Sequence, residues 1–238
     1  MQHLKDKKAL ITGGGRGIGR EIALHFARAG LDVVLVARTE SQLSSVASEV
    51  EALGRKALVV PADISDEKQV EHLAHEVKKH WGHVEILVNN AATFTHGEVV
   101  NMSVDEWDKV INTNLRGTFL VTRAFLPGMI KQKSGTIVMI SSTSGKRADP
   151  GGSAYAASKF GLMGFAQSLL YEVRKHNIRV IVVCPSAVDT RVMNYEKAPF
   201  AGKRARLRAE DVAQAILQAV SLPPRALVRE IELWATNP

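Results

Sequence analysis

Leu10-Ile11-Thr12-Gly13-Gly14-Gly15-Arg16-Gly17-Ile18-Gly19 places four glycines between an apolar strand pattern (residues 9–12) and an amphipathic helix pattern (residues 18–29), with Gly19 in the first turn of that helix pattern. Without a Cβ, such a turn bends sharply and its backbone can approach a phosphate closely. The helix that follows offers free N–H donors and a partial positive charge at its N-terminus. The familiar dinucleotide fingerprint G-x-G-x-x-G is not matched; the spacing is T-G-x-x-x-G-x-G, carried by Gly13, Gly17 and Gly19. A glycine-rich turn without a ligand is the competing reading, but the turn opens a β-α-β unit, which favours a phosphate.

Outward from this turn, short apolar runs alternate with longer amphipathic ones. Strands are predicted at 33–36, 57–60, 86–88, 136–140, 179–183 and 228–233, most of them near-continuously apolar, as parallel strands covered on both faces are. Helices are predicted at 40–53, 66–80, 104–133, 153–176 and 209–221, the third of these interrupted near Pro127. Ser65 and Ser103 are read as N-caps, and Gly30 and Gly54 as C-terminal stops. The alternation implies an α/β fold: a doubly wound, parallel, seven-stranded sheet with helices on both faces. No composition break or repeat divides the chain, so residues 1–238 are read as one domain.

Composition narrows the function classes. With 31 Lys+Arg against 24 Asp+Glu, the 238 residues carry a net charge of +7. The cations are scattered, the densest run being Lys203 to Arg208. Aromatics are only 5% of the chain, too few for base-stacking platforms, so no nucleic-acid partner is expected. The lone Cys184 excludes an internal disulfide and fits a reducing compartment. No apolar run approaches the ~20 residues that span a bilayer, and Met1 to Lys8 does not read as a secretory leader. A cytoplasmic protein without membrane attachment is expected. His72, His75, His80 and His83 lie in or beside a polar helix pattern and are read as solvated, with no metal site expected.

Further motifs follow in order: Asn89-Asn90-Ala91-Ala92 after the fourth strand, Asn114 in Asn112-Thr113-Asn114-Leu115-Arg116-Gly117, Ser141-Ser142 ending the fifth strand, Tyr155-Ala156-Ala157-Ser158-Lys159, and Pro185-Ser186 with Thr190 after the sixth. Together with the glycine turn, this set resembles the short-chain dehydrogenase/reductases over nearly the whole chain, and most resembles their 3-oxoacyl-carrier-protein reductase branch. The resemblance implies a Rossmann fold, a nicotinamide cofactor and a homotetramer. It assigns cofactor contacts to Gly13, Gly15, Arg16, Gly17, Ile18 and Gly19 in the turn, and to Arg38, Asp63, Ile64 and Asn90 beyond it. Tyr155, Lys159, Pro185, Val188 and Thr190 complete that set.

The second strand ends Val36-Ala37-Arg38, with Ala37 where NAD-preferring relatives tend to carry Asp. An acid there would bind ribose hydroxyls and repel a 2′-phosphate. Its absence, with Arg16 and Arg38 offering two guanidinium forks, points to NADP(H). Tyr155 and Lys159 are i, i+4 on a predicted helix and so share one face. A neighbouring ammonium lowers a phenol's pKa towards neutrality, so Tyr155 can protonate a carbonyl oxygen as hydride reaches its carbon. By resemblance, Lys159 also holds the nicotinamide ribose, Ser142 binds the substrate oxygen, and Asn114 holds a water beside the lysine. Ser158 is read as packing the helix, and Cys184 as a buried small hydrophobe.

Ala92 and Ser186 depart from the family, which carries glycine at both. If those glycines serve a positive φ, each replacement costs on the order of 1 kcal/mol or shifts the loop. Residues 188–208 are expected to form the substrate lid, with Met193, Tyr195, Pro199 and Phe200 beside several cations. The expected substrate is a small carbonyl compound, with a 3-oxoacyl thioester on coenzyme A or acyl carrier protein as the branch suggests. Tyr171 stands where carrier-protein reductases often have Arg, with Lys131, Lys133, Arg174 and Lys175 as substitutes. Two alternatives stay open: an alcohol dehydrogenase running oxidatively on a hydroxysteroid, sugar or hydroxy acid, and a non-catalytic NADP(H)-binding regulator.

Overall fold

The computed structural model describes residues 4–190 and 206–236. Seven parallel strands form one sheet: β1 (Lys8–Thr12), β2 (Asp32–Ala37), β3 (Ala57–Pro61), β4 (Ile86–Asn89), β5 (Gly135–Ile140), β6 (Ile178–Pro185) and β9 (Glu230–Leu233). Their order is β3-β2-β1-β4-β5-β6-β9, so the chain reverses direction across the sheet between β1 and β4. Ligands of open α/β sheets bind outside the strands' carboxyl ends at such a switch point.

Period-two alternation sorts each strand between two cores. Ala9, Ile11, Val33, Leu35, Val138, Ile140, Ile181 and Val183 face one core, with Ile22 and Phe26 of α1 (Gly17–Arg28), Val46 and Val50 of α2 (Glu40–Ala52), and Ile216 of α7 (Ala209–Val220). Leu10, Val34, Val36, Ile137, Met139, Val180 and Val182 face the other. There they meet Leu73 of α3 (Glu67–Trp81), Val121 of α5 (Thr118–Gln132) and Leu162 of α6 (Ser153–Val173). Both faces being covered explains why the strands read as unbroken apolar runs.

Arg179 of β6 ties the sheet to the end of α7. It donates to the carbonyls of Val220, Leu222 and Ala226 and to Thr136 Oγ1. A guanidinium at a helix C-terminus complements the helix dipole.

Three local expectations change. Pro127 does not break its helix: α5 runs through it, forfeiting one i→i−4 bond. The interruption lies earlier, where α4 (Val104–Ile111) passes into a π-helical turn, Asn112–Gly117. Gly117 permits this turn to press against the loop after β3, since a Cβ there would lie 2.9 Å from Ile64 Cγ1. Ser65 is not the cap of α3; Asp66 is, accepting from the Lys68 and Gln69 amides. Ser65 instead donates through N and Oγ to Asp63 Oδ1. Ser103 does cap α4, in a reciprocal capping box with Glu106.

Of the expected lid, residues 191–205 lie outside the described residues, Met193, Tyr195, Pro199 and Phe200 among them. The segments flanking it pair in parallel, β7 (Val188–Asp189) with β8 (Leu207–Arg208). No helix among the described residues is long and apolar enough to cross a membrane.

Candidate active site

A cleft of about 680 Å³ opens at the carboxyl ends of the strands. Its floor begins with the glycine turn. A Cβ on Gly19 would sit 2.1 Å from the Gly13 carbonyl oxygen, so only glycine lets the start of α1 fold back so tightly. Gly13 and Gly17 have φ of +68° and +55°, the left-handed region that glycine enters without strain. Thr12 Oγ1, fully buried, accepts from the amides of Asn90 (3.0 Å) and Ala91 (3.1 Å). Asn90 Nδ2 returns a bond to the Thr12 carbonyl at 2.9 Å. These bonds fasten the loop after β4 to the end of β1 across the switch point.

The cleft brings together Gly13, Gly15, Arg16 and Ile18 from the turn, and Arg38, Asp63, Ile64 and Asn90 from the next loops. Ser142, Tyr155 and Lys159 line it, as do Pro185, Val188 and Thr190. Gly17, Gly19 and Asn114 do not line it. The two glycines shape the turn from behind. Asn114 is buried in the π-helical turn, accepting from Thr93 N (2.8 Å) and donating to the Thr93 carbonyl and Ser158 Oγ. Ser158 in turn donates to the Tyr155 carbonyl at 2.7 Å. This chain of bonds joins the loop after β4 to the helix that carries Tyr155.

Lys159 is 2% exposed, and its Nζ donates to the Ile140 carbonyl at 2.8 Å. Burial pushes its pKa down from 10.5 to about 8. Nζ lies 5.5 Å from the Tyr155 ring centroid. One of its three N–H donors is used, so the others lack a protein acceptor among the described residues. Phe94 packs edge-on against Tyr155, with ring centroids 5.2 Å apart. Ser142 Oγ accepts from the Ser144 amide, which leaves its own proton to donate. Ser141 also lines the cleft but is buried, its Oγ directed at the Lys159 carbonyl at 3.5 Å.

At the far end, Arg38 is largely exposed and only loosely paired with Asp63, at 3.8 Å. Ala37 places no acid beside it. The set fits a dinucleotide with a phosphorylated ribose: a helix N-terminus for the pyrophosphate, two unburied guanidinium groups, and a buried ammonium with donors to spare.

Ala92 and Ser186 both have ordinary negative φ, so neither carries the strain that a lost glycine threatened. Cys184 is buried with its Sγ 3.7 Å from Met163 Sδ, and burial raises its pKa to about 11, an inert thiol. His80 and His83 pair with Glu76 and Glu85 at the surface. Sequence reasoning missed Trp234, which lines the cleft because β9 pairs with β6 and sets Leu233 beside Pro185.

A Rossmann sheet with a phosphate-ready turn and an i, i+4 Tyr/Lys pair in one cleft defines a nicotinamide-dependent oxidoreductase class. Comparison with known proteins agrees. Residues 7–199 match the family described as short chain dehydrogenase. The chain is 37% identical to a sepiapterin reductase of Chlorobaculum tepidum over 244 residues, covering 100% of this chain and 98% of that one. It is 36% identical to the 3-oxoacyl-[acyl-carrier-protein] reductase FabG of Thermotoga maritima over 223 residues, 90% of each. Among solved structures, an alcohol dehydrogenase from Thermococcus sibiricus complexed with 5-hydroxy-NADP superposes with a TM-score of 0.87 at 27% identity, covering 96% of each chain. A metagenomic short-chain oxidoreductase in complex with NADP gives 0.85 at 32%, covering 98% of this chain and 99% of that one. The chain belongs to the short-chain dehydrogenase/reductase family of oxidoreductases.

Proposed function

We propose that this chain is an NADPH-dependent carbonyl reductase, with Tyr155 as proton donor. The observation that carries the reading is the buried Lys159 ammonium beside the Tyr155 ring, in the cleft that also holds the glycine turn and the two cofactor-end arginines. NADPH, when bound, supplies a hydride to the carbonyl carbon. Tyr155 gives its proton to the carbonyl oxygen, and Ser142 donates a hydrogen bond to that oxygen as charge develops on it. Lys159 stabilises the resulting phenolate and offers its spare donors to the nicotinamide ribose. Asn114 acts from behind the wall, holding the loop at Thr93 against the helix of Tyr155. Solvent then returns the proton to Tyr155, which closes the balance.

The cofactor is assigned to NADP(H) on Arg16, Arg38 and the missing acid at Ala37, and two solved relatives are themselves complexed with NADP or 5-hydroxy-NADP. A 3-oxoacyl thioester is the substrate to try first, given the likeness to the Thermotoga maritima reductase. Absorbance at 340 nm with acetoacetyl-CoA should fall with NADPH well faster than with NADH. Tyr155→Phe should abolish turnover by about 10²- to 10⁴-fold while leaving NADPH binding intact. A regulator without turnover would be indifferent to Tyr155→Phe, and equal rates with NADH would sink the cofactor assignment. A homotetramer accompanies this reading, supported by Val99, Val100, Val104 and Phe160, all exposed apolar side chains. Light scattering that returns a monodisperse monomer would count against it.

A further inference from the structure

The substrate end of the cleft holds a cation that the proposed chemistry does not use. Arg147, in the loop after β5, lays its guanidinium 4.4 Å from the ring centroid of Trp234, and both side chains line the cleft. Trp234 is held in place by its neighbour, since Nε1 donates to Glu232 Oε1 at 2.8 Å. The acids at this edge are engaged chiefly by Lys146, which pairs with both Glu230 and Glu232, while the more distant Arg147 charge adds only the last of the effects that lower the Glu232 pKa. Arg147 makes no ion pair among the described residues, and Asp149, two residues along the same wall, does not bond to it. A stacked guanidinium keeps its in-plane N–H donors available, a fork shaped for a carboxylate or a phosphate.

We infer that Arg147, braced on Trp234, is a specificity-determining residue that binds an oxyanion on the substrate, so that the preferred substrates are ketones carrying a carboxylate or phosphate group. The inference rests on the reductase reading of the same site and narrows its substrate class. The lining of the cleft supports it: among the described residues, Arg16, Arg38, Arg147 and Lys159 stand beside Asp63 and Asp149. Arg16 and Arg38 lie at the opposite end, where the second strand finishes, so Arg147 serves a different anion from the cofactor's. Stacking also preorganises the side chain, which lowers the entropy lost when an anion docks.

The test compares matched pairs of ketones under saturating NADPH. Oxo acids with one to four methylenes between ketone and carboxylate are set against their methyl esters, and terminal phosphates against the corresponding alcohols. The wild-type chain should prefer one anionic series in kcat/KM, through KM. Arg147→Ala should reduce that preference by about 10- to 100-fold, with rates on the neutral partners little changed. Arg147→Lys should restore part of it. The series that responds distinguishes carboxylate from phosphate. No anionic preference in the wild type, or one unchanged in Arg147→Ala, overturns the inference while leaving the reductase standing. If no ketone is reduced although NADPH binds, the reductase reading fails instead. The anion site is then decided by calorimetric titration of the oxo acids and the phosphates into the NADP-saturated chain. Saturable binding lost in Arg147→Ala supports the site, and identical titrations, or none in the wild type, reject it.

Discussion

Lys159 Nζ donates to the Ile140 carbonyl at 2.8 Å from a residue only 2% exposed, so the fold holds a cation largely withdrawn from water. Its pKa falls to about 8 for that reason. An unfolded lysine titrates near 10.5, so between about 8 and 10.5 the unfolded chain binds more protons and stability rises with pH. Below that window the buried charge carries its full penalty. Lys159→Met should therefore stabilise the cofactor-free protein at pH 7 by about 2 kcal/mol, the shift being offset in part by the Ile140 carbonyl losing its donor. The gain should shrink as pH climbs from 8 to 10.5, and turnover should drop by about 10²-fold or more. Thermal melts across pH beside 340 nm assays check both. A variant that is less stable at pH 7 would show that the ammonium is a structural asset.

Cofactor choice should follow charge at the end of β2. Arg38→Ala and Arg16→Ala should each raise KM for NADPH by about 10- to 100-fold and leave NADH nearly unchanged, because NADH lacks the phosphate that the guanidinium groups would meet. Adding Ala37→Asp to Arg38→Ala should shift the ratio of the two cofactors further towards NADH. Steady-state kinetics with both cofactors reads the outcome. Equal losses for NADPH and NADH would instead mean that the arginines act through the turn's shape.

Thr12 is a structural hinge pin rather than a cofactor ligand. Its Oγ1 accepts two amides and donates to the Val88 carbonyl at 3.4 Å, so nothing of it is left for a ligand. Thr12→Val keeps the volume but strands the Asn90 and Ala91 amides. Unfolding in urea should show a loss of about 2–3 kcal/mol. NADPH binding should weaken as well, since the loop after β4 forms one wall of the cleft.

The sheet was legible because its physics is local. Residues such as Leu10 and Ile11 face opposite cores, and both cores are apolar, so each strand had to be an unbroken apolar run. The glycine turn was legible in its spacing and the Tyr155 and Lys159 pair in its i, i+4 relation, whereas Ser142 was legible only through the family resemblance. The π-helical turn was not: apolar periodicity runs on from 104 to 133, and the close approach that Gly117 permits is to Ile64, a residue distant in the sequence. Trp234 was hidden for a similar reason. It reaches the cleft only through the pairing of β9 with β6, between segments some fifty residues apart, and no local pattern records that. Arg147 carries no local signal either, because the ring that braces it, Trp234, follows a different strand.

The start of α3 shows how fine the local signal can be. Ser65 and Asp66 are both good capping residues, and the sequence alone favoured the serine. Asp66 takes the position because Ser65 is already committed to Asp63, which it meets through N at 2.9 Å and Oγ at 2.7 Å. Asp66 then accepts from the Lys68 amide at 2.9 Å, the Gln69 amide at 3.4 Å and Gln69 Nε2 at 3.0 Å. Those bonds lower the pKa of its carboxyl, the side-chain bond from Gln69 first. A depressed folded pKa means that the stabilisation is present above the ordinary carboxylate range and is lost as pH falls through the folded value. Asp66→Asn should keep most of the capping, because an amide oxygen still accepts, but should lose that acid-limb dependence. Asp66→Ala should lower the melting temperature at pH 7, as removal of an N-cap side chain does. Ser65→Ala should act elsewhere, loosening Asp63 at the cofactor end of the cleft and so raising KM for NADPH more than it lowers the melting temperature. Melting curves and NADPH kinetics on the same three variants separate the two roles, and a larger melting loss in Ser65→Ala than in Asp66→Ala would return the cap to the serine.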